Sequence, residues 1–171
     1  GASADVIESQ VTKILEDSLA GIEGVELMTS RSQSERSNID VALRWAEHND
    51  LTLATRIVGA LGQYWLTYDR ASGRRWCEPI VAASSGVPVR LRARALLAAG
   101  LVAGGERAFD RSVRILREAL SLYRAEQAPS GEAACLFWLG RGLLPWGSVT
   151  GKNRVKDSEK CFVDALSIFT R

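Results

Sequence analysis

The sequence is poor in the residues that build metal sites and disulfide frameworks. It contains three cysteines, Cys77, Cys135 and Cys161, and a single histidine, His48. The cysteines form an odd set without C-x-x-C spacing, and the histidine lies far from all of them, so we expect no zinc site, disulfide or cofactor. We expect the cysteines to be core or near-core residues on helices, in a chain of the reducing cytoplasm.

Long uncharged runs and an excess of one charge sign are also missing. No stretch without a charged residue approaches the roughly 20 residues that a membrane-spanning helix needs. The formal net charge is +2, with both signs interspersed, which does not favour direct binding of nucleic acid. Because no signal peptide is evident and the first residue is glycine, we expect a fragment or a processed chain.

No catalytic constellation stands out either. The lone histidine has no nucleophile beside it in the sequence, which disfavours a soluble hydrolase. The stretch Gly147–Lys152 ends in Gly-Lys like a phosphate-binding loop, but Asn153 follows where Ser or Thr is required, and no predicted strand precedes it. We therefore interpret this stretch as a turn and predict that the chain is not an enzyme.

The sequence is organised around Arg92–Glu126, which predicts two amphipathic helices. Leu91–Gly104 is apolar nearly all round, as in a helix buried between neighbours. In the second helix, four apolar residues recur at offsets of three and four and define one buried stripe. These residues are Val113, Leu116, Leu120 and Tyr123. Gly104 and Gly105 are predicted to end the first helix.

The same plan recurs on both sides of this stretch. Glu78, Glu118 and Asp164 fall at equivalent positions, 40 and 46 residues apart. Gly62, Gly100 and Gly140 recur on the first helices, 38 and 40 residues apart, which suggests close helix–helix approach at each of them. Self-similarity at such a period predicts an all-α fold: a right-handed solenoid of antiparallel helix pairs.

The small residue Gly100, the pair Ala119-Leu120 and the aromatic Tyr123 resemble a degenerate tetratricopeptide repeat. The phrases NIDVALRWAEHND, IVGALGQYW, GRRWCEPIVAA, RLRARALLAAGL and ILREALSLYRAE are similar to the helical-repeat region of large bacterial ATPase-type transcriptional regulators. This resemblance covers residues 38–171. It departs from the pattern in the spacing of 46 and at Pro145, so we expect the last repeat to be irregular.

Periodicity, glycines and prolines predict seven helices in this region. Their bounds are Asn38–His48, Leu51–Thr67, Ala71–Ala83, Val89–Gly104, Arg107–Glu126, Gly131–Leu144 and Asn153–Thr170. The first of them is ambiguous, because apolar residues at 39, 41, 43 and 45 alternate as in a strand, whereas those at 39, 42, 43 and 46 follow a helical period. We favour the helix, which has the downstream repeats to pack against.

The front of the chain predicts a different arrangement. Ser3 is a plausible N-cap for a helix with an apolar stripe at Ile7, Val11, Ile14 and Leu15. Val25–Thr29 is typical of a strand or extended segment, and Ser30–Ser37 of a loop or hairpin tip. GASADVIESQVTKILEDSLAGIEGVE and the following MTSRSQSERS resemble part of the periplasmic porter domain of resistance-nodulation-division (RND) efflux transporters. Residues 1–36 are therefore predicted to be an RND-porter-like unit and residues 37–171 a tetratricopeptide-like unit.

We place the candidate binding surface on the inner face of the repeats, where polar and aromatic residues suit recognition of a protein segment or a small effector. The candidate residues are Arg56, Gln63, Tyr64, Tyr68, Trp138 and Arg141. Trp65 lies on the same predicted helix as Tyr64, and for both Trp65 and Trp138 we favour a role in packing between repeats. The main functional hypothesis is a non-enzymatic, cytoplasmic binding module of a bacterial transcriptional regulator. The alternative is a fragment or fusion with part of an RND transporter, without independent activity, on the periplasmic face of the inner membrane.

Overall fold

The computed structural model describes residues 35–144 and 152–170, and in these ranges the protein folds into α-helices without any strand. The helices are α1 (Glu35–Asn49), α2 (Leu51–Thr67), α3 (Arg70–Ala83), α4 (Val89–Gly105), α5 (Phe109–Ala125), α6 (Pro129–Leu143) and α7 (Lys152–Phe169). A short 3-10 turn, Ser84–Gly86, follows α3. The all-α prediction is confirmed for this part of the chain. The predicted N-terminal helix, the extended segment at 25–29 and the Gly-rich turn at 147–151 lie outside the described residues.

Helix α1 settles the ambiguity between strand and helix at residues 37–47. The residues of the helical period, Ile39, Ala42, Leu43 and Ala46, are all buried. Two members of the alternating set, Val41 and Trp45, are instead 53% and 40% exposed. The helical interpretation is confirmed and the strand alternative is wrong, because α1 has α2 to cover its apolar stripe.

Side chains at the starts of α2 and α3 define where those helices begin. The Asp50 carboxylate accepts a hydrogen bond from the backbone N–H of Leu53 at 3.0 Å, and Asp69 accepts one from Ser72 at 3.3 Å. Both residues are N-caps that satisfy an otherwise unpaired backbone donor. The observed bounds of α2 agree with the predicted Leu51–Thr67.

Helix α4 ends at Gly105, so the predicted stop at Gly104 and Gly105 is confirmed. Both glycines lie within the last turn of α4, and the chain turns at Arg107, which has a φ of 64°. The N–H groups of Arg107 and Ala108 donate to the carbonyls of Gly104 and Ala103 at 3.1 and 3.0 Å, which is the Schellman pattern. Gly105 also allows α2 to approach closely, because a Cβ on Gly105 would lie 2.8 Å from Leu66 Cδ1.

Helix α5 ends in the same way as α4. Gln127 has a φ of 51°, and its N–H donates to the Arg124 carbonyl at 3.1 Å. The N–H of Ala128 donates to Tyr123 at 3.0 Å. The segments Glu106–Ala108 and Glu126–Ala128 are thus one turn used twice, each with a non-glycine residue in the left-handed region.

Consecutive helices pack against each other, and α2 also packs against α4. Gly104 contacts Ser112, Gly100 contacts Leu116, and the Arg92 guanidinium donates to Glu118 at 2.9 Å, so α4 and α5 are antiparallel. Gly59 lies against Arg94, Gly62 against Ala98 and Gly105 against Leu66, so α2 and α4 run parallel. Two residues separate the end of α2 from the start of α3, and α3 folds back on α2, since a Cβ on Gly73 would lie 2.7 Å from the Trp65 Cβ. Two antiparallel pairs, α2–α3 and α4–α5, are therefore joined through their first helices.

Helix α4 contributes to both core clusters of the described residues, as its uniform apolarity predicts. Ala95, Ala98, Ala99 and Val102 belong to a core cluster with α1–α3. Ala93, Leu96 and Leu101 belong to a second cluster with α5–α7. The predicted stripe of α5 is confirmed, because all four of its residues are buried in the second cluster. Burial on two faces follows from a helix with almost no polar side.

Close approach at the three recurring glycines is confirmed. A Cβ on Gly62 would lie 2.6 Å from the Ala98 Cβ of α4. On Gly100 it would lie 2.6 Å from Leu116 of α5, and on Gly140 it would lie 2.8 Å from Phe162 of α7. Gly100 and Gly140 thus allow close approach of the helix that follows their own, α5 and α7. Gly62 on α2 instead allows close approach of α4.

Candidate functional site

The structure places the six predicted surface residues in two groups on different helices. Tyr64 and Tyr68 lie together at the end of α2, with ring centroids 5.7 Å apart. Trp138 and Arg141 lie on α6, where the guanidinium carbon sits 4.9 Å from the indole centroid. Arg56 and Gln63 are exposed on α2. Trp65 is 0% exposed and belongs to the first core cluster, so its interpretation as a packing residue is confirmed.

Trp138 and Arg141 border a cleft of about 400 Å³ where α2, α4, α5 and α6 converge. It is lined by small, apolar, aromatic and arginine side chains. These residues are Leu66, Gly100, Leu101, Gly104, Gly105, Arg107, Phe109, Ser112, Trp138, Arg141 and Gly142. Four of them are glycines, which leave open the space that side chains would otherwise fill.

Two arginines give the cleft its electrostatic character. Arg107 lines it from the turn between α4 and α5, and Arg141 from the last turn of α6. No acidic residue is among the lining residues within the described ranges. The hydroxyl of Ser112 donates to the Gly100 carbonyl at 2.7 Å, so its proton is already used. Within the described ranges, the charged residues that line the cleft are therefore both arginines.

Sequence reasoning identified Trp138 and Arg141 but missed Leu66, Arg107 and Phe109. The position of Arg107 depends on the Schellman turn. The sequence signal for this turn was the recurrence of Glu-x-Ala at 106–108 and 126–128. Leu66 and Phe109 meet at the cleft because α2 and α4 run parallel, which brings the end of α2 beside the end of α4. A contact between helices that are distant in sequence leaves no periodic pattern from which it could be predicted.

A repeated buried hydrogen bond was also missed. Ser112 on α5 donates to the Gly100 carbonyl, and Ser158 on α7 donates to the Gly140 carbonyl at 2.8 Å. Both serines are buried. They lie 46 residues apart, the spacing that separates Glu118 from Asp164, so the repeat alignment contained this signal. The pairs α4–α5 and α6–α7 therefore share one kind of buried hydrogen bond between their helices.

The cysteines are core or near-core residues, as predicted. All three are free thiols; Cys77 and Cys135 are buried and Cys161 is half-buried. Burial raises the pKa of the Cys77 and Cys135 thiols to about 12, and it also raises the pKa of Cys161. These thiols are protonated near neutral pH and are therefore poor nucleophiles. In the described ranges, no group of histidine, cysteine and acidic residues is arranged to hold a metal ion.

Comparison with known proteins gives one partial match. The model of the AcrB/AcrD/AcrF family, a family of RND transporters, matches residues 1–62, which is little more than a third of the 171 residues. No curated protein and no solved structure matches the chain. Among the helices described above, none is long and apolar enough to cross a membrane. The match ends inside α2, at the glycine that packs against Ala98, so its end does not coincide with a structural boundary.

Proposed function

We propose that residues 37–171 form a non-enzymatic binding module of tetratricopeptide-like helix pairs that takes a protein segment or a small effector. The arrangement of α2–α5 supports this, because antiparallel pairs joined through parallel first helices are how helical solenoids stack. The recurring Ser–Gly hydrogen bond extends the plan to α6–α7. In this proposal residues 1–36 are a separate, RND-porter-like unit.

The observation that carries the proposal is the cleft bordered by Trp138 and Arg141. It combines an aromatic surface, an apolar floor and charged donors, the composition of small-ligand sites in proteins. The ring pair Tyr64–Tyr68 offers a second aromatic surface for a bound segment. As part of a transcriptional regulator of the cytoplasm, such a module would couple effector binding to neighbouring domains.

Binding by the full chain is testable by heteronuclear NMR. We would titrate an isotope-labelled sample with a mixed library of small acids, bases and neutral compounds, and then with a library of short peptides. We expect a subset of compounds to shift the indole resonance of Trp138 and the amides of α6. If every compound and peptide leaves these resonances unchanged, the binding module is the wrong function. A screen of ester and phosphoester hydrolysis tests the non-enzymatic part, which measurable turnover would overturn.

A second candidate is supported by the family match over residues 1–62. In this alternative the chain carries a piece of an RND-type efflux transporter and has no activity of its own. The gene sequence around this segment separates the two candidates. Membrane helices encoded beside it favour the transporter and the periplasmic face of the inner membrane. A nucleotide-binding domain encoded beside it favours the regulator.

A further inference from the structure

We propose that an exposed surface of α6 and α7 binds an α-helix of a partner protein, with small apolar residues along one side and a lysine or arginine near its C-terminal end. This surface, the open face, is defined by Phe137, Glu159 and Leu166. The inference rests on the proposed function and deepens it, because it names the kind of protein segment that the helix pairs take. None of the three residues lines the described part of the cleft, so the open face and the cleft can be tested separately.

Glu159 stands at a position that contacts the next helix in both earlier pairs. Its equivalents are Gly73 on α3 and Val113 on α5, at the spacings of 40 and 46 residues. A Cβ on Gly73 would lie 2.8 Å from the Val102 side chain of α4. A Cβ on Gly142 of α6 would lie 3.2 Å from the Val113 side chain. In both cases the first helix of the following pair lies against this position.

Leu166 belongs to a second series of the same kind. Its equivalents, Ile80 and Leu120, are buried. Ile80 lies in the core cluster that includes residues of α4, and Leu120 lies in the cluster that includes residues of α6. The following helix thus takes part in burying this position in the two earlier pairs.

Phe137 extends the comparison to the first helix of the pair. It precedes Gly140 by three residues, as Gly59 precedes Gly62. A Cβ on Gly59 of α2 would lie 3.0 Å from Cγ of Arg94 on α4. The three residues of the open face therefore correspond to positions on α2 and α3 that lie against α4 or share a cluster with it.

The open face is not covered by any of the described residues. Leu166 is 64% exposed and Phe137 is 45% exposed, and Glu159 is exposed as well. Val155 and Val163 continue the exposed apolar surface along α7. Because the outer face of a capping repeat is normally polar, an apolar surface at this place is typical of a contact site.

The earlier interfaces determine the direction of the bound helix. Helix α6 is antiparallel to α5, because Gly131 lies against Tyr123 and Gly142 lies against Val113. A helix in the corresponding place on α7 has its C-terminal end beside Glu159, which lies in the first half of α7.

Glu159 determines the charge of the bound helix. It is a carboxylate where the earlier pairs have Gly73 and Val113, so a cation is favourable at the facing position of the partner. A lysine or arginine near the C-terminal end of a helix is also favoured by the helix dipole. Helix α4 contributes three alanines and a valine to the cluster that it shares with α2 and α3. We therefore expect small apolar residues along the rest of the contact.

Three peptides that differ in charge at one position test this kind of partner. Each has the sequence of residues 89–105, because α4 occupies the equivalent place on α3, and residue 102 is valine, lysine or glutamate. We would titrate the isotope-labelled full chain with each peptide by NMR and follow the amides of residues 159–166. We expect the Val102→Lys peptide to bind with a Kd of about 1 mM or tighter. The Val102→Glu peptide should bind at least about threefold more weakly, because an attractive pair becomes a repulsive one at an exposed site.

Charge reversal in the full chain gives a matched control. Glu159→Lys should reverse the order of the two charged peptides. Asp157→Lys makes the same change in net charge, but residue 157 lies about 200° around the helix from residue 159, so the order should stay as in the original chain. Leu166→Ala should weaken every peptide at least about fivefold, because the leucine becomes buried on binding. An order that Glu159→Lys leaves unchanged, or an affinity that Leu166→Ala leaves unchanged, would contradict the inference.

Two further outcomes would overturn the inference. If none of the peptides shifts the α7 amides, the open face does not bind a helix, and shifts of Trp138 by the compound library would still leave the proposed function standing. If sedimentation velocity shows a self-associated chain that becomes monomeric in Leu166→Ala, the open face binds a second copy of this chain rather than a partner protein.

Discussion

At the scale of single residues, the tightest constraint is the contact between α2 and α4 at Gly62. A Cβ there would lie 2.6 Å from the Ala98 Cβ and 2.8 Å from the Ala98 Cα. The second atom belongs to the backbone, so the added methyl group could be accommodated only by moving a helix. Gly62→Ala should destabilise the protein by about 1 to 2 kcal/mol, because overpacking costs more than the roughly 1 kcal/mol of helix propensity that alanine adds.

Chemical denaturation of the full chain measures this change, and Gly86→Ala is its control. A Cβ on Gly86 would meet nothing within 4 Å, so the free energy of unfolding should stay within about 0.5 kcal/mol of the original. If both variants were equally stable, α2 and α4 would not be in close contact at Gly62.

The buried cysteines give a prediction about pH. Because burial raises the pKa of Cys77 and Cys135 to about 12 from 9.0, folding favours the protonated thiols. Their contribution to stability is complete below pH 9 and is lost as the pH rises towards 12. We expect the free energy of unfolding to fall over this range. At pH 8 a thiol reagent should modify half-buried Cys161 first and the two buried cysteines only through unfolding.

Mass spectrometry of the labelled chain identifies which cysteine reacts. The same reaction in denaturant should modify all three thiols rapidly, which controls for the chemistry. Rapid labelling of native Cys77 or Cys135 would mean that these side chains are not in the core.

Single residues differ in how far their positions could be predicted from the sequence. The stripe of α5 could be predicted, because a helical period fixes which side chains share a face. Trp138 and Arg141 could be identified from their chemistry, but Arg107 could not. A positive φ at an arginine is imposed by the Schellman turn, and the usual sequence signal for that turn is a glycine at the turning residue. Gly104 and Gly105 lie in the last turn of α4, before the turning residue, so they predict the end of the helix but not the position of Arg107.

At the scale of helices, a hydrogen bond to Asp40 links α1 to α3. Its carboxylate accepts a hydrogen bond from the indole N–H of buried Trp76 at 2.7 Å. It also lies 3.5 Å from the Arg75 guanidinium and 3.9 Å from that of Arg44. The two arginines are largely exposed, so their ion pairs contribute little. The bond to Trp76 dominates, and it links the part of the chain that the AcrB/AcrD/AcrF model matches to a helix beyond it.

Two substitutions of Asp40 distinguish the hydrogen bond from the charge. Asp40→Ala leaves the indole N–H without an acceptor and should cost about 1 to 3 kcal/mol. Asp40→Asn keeps an acceptor and should cost less than half of that loss. Denaturation curves give both values, and hydrogen exchange of the α1 amides reports whether this helix detaches first. Equal losses in the two variants would show that charge, not the bond to Trp76, holds α1 in place.

Helix bounds were more predictable than helix partners. The N-cap Asp50 marks the start of α2 in the sequence, and the predicted and observed bounds agree. For α1 the pattern allowed two interpretations, and packing against α2 decided between them. Contacts such as Gly105 with Leu66, and the cleft itself, join helices that are distant in sequence. They depend on the parallel arrangement of α2 and α4, which no local pattern encodes.

At the scale of the whole molecule, equivalent positions differ in burial along the chain. Ile80, Leu120 and Leu166 are related by the spacings of 40 and 46 residues and lie on the second helices of the three pairs. Ile80 is 0% exposed and Leu120 is 8% exposed, whereas Leu166 is 64% exposed. In the first two pairs another helix follows and packs on the second helix. Helix α7 is the last described element, and its equivalent face is open.

This difference predicts opposite outcomes for the same substitution at two equivalent leucines. Leu120→Ala removes buried apolar atoms from the cluster shared by α4–α7 and should cost about 2 to 5 kcal/mol. Leu166→Ala removes atoms already in contact with water and should change stability by no more than about 0.5 kcal/mol. Urea denaturation of the two variants measures both values, and sedimentation velocity reports the oligomeric state. A large loss at Leu166 together with a monomeric chain would contradict the open face, because the substitution can destabilise a monomer only if residues of the same chain cover that leucine.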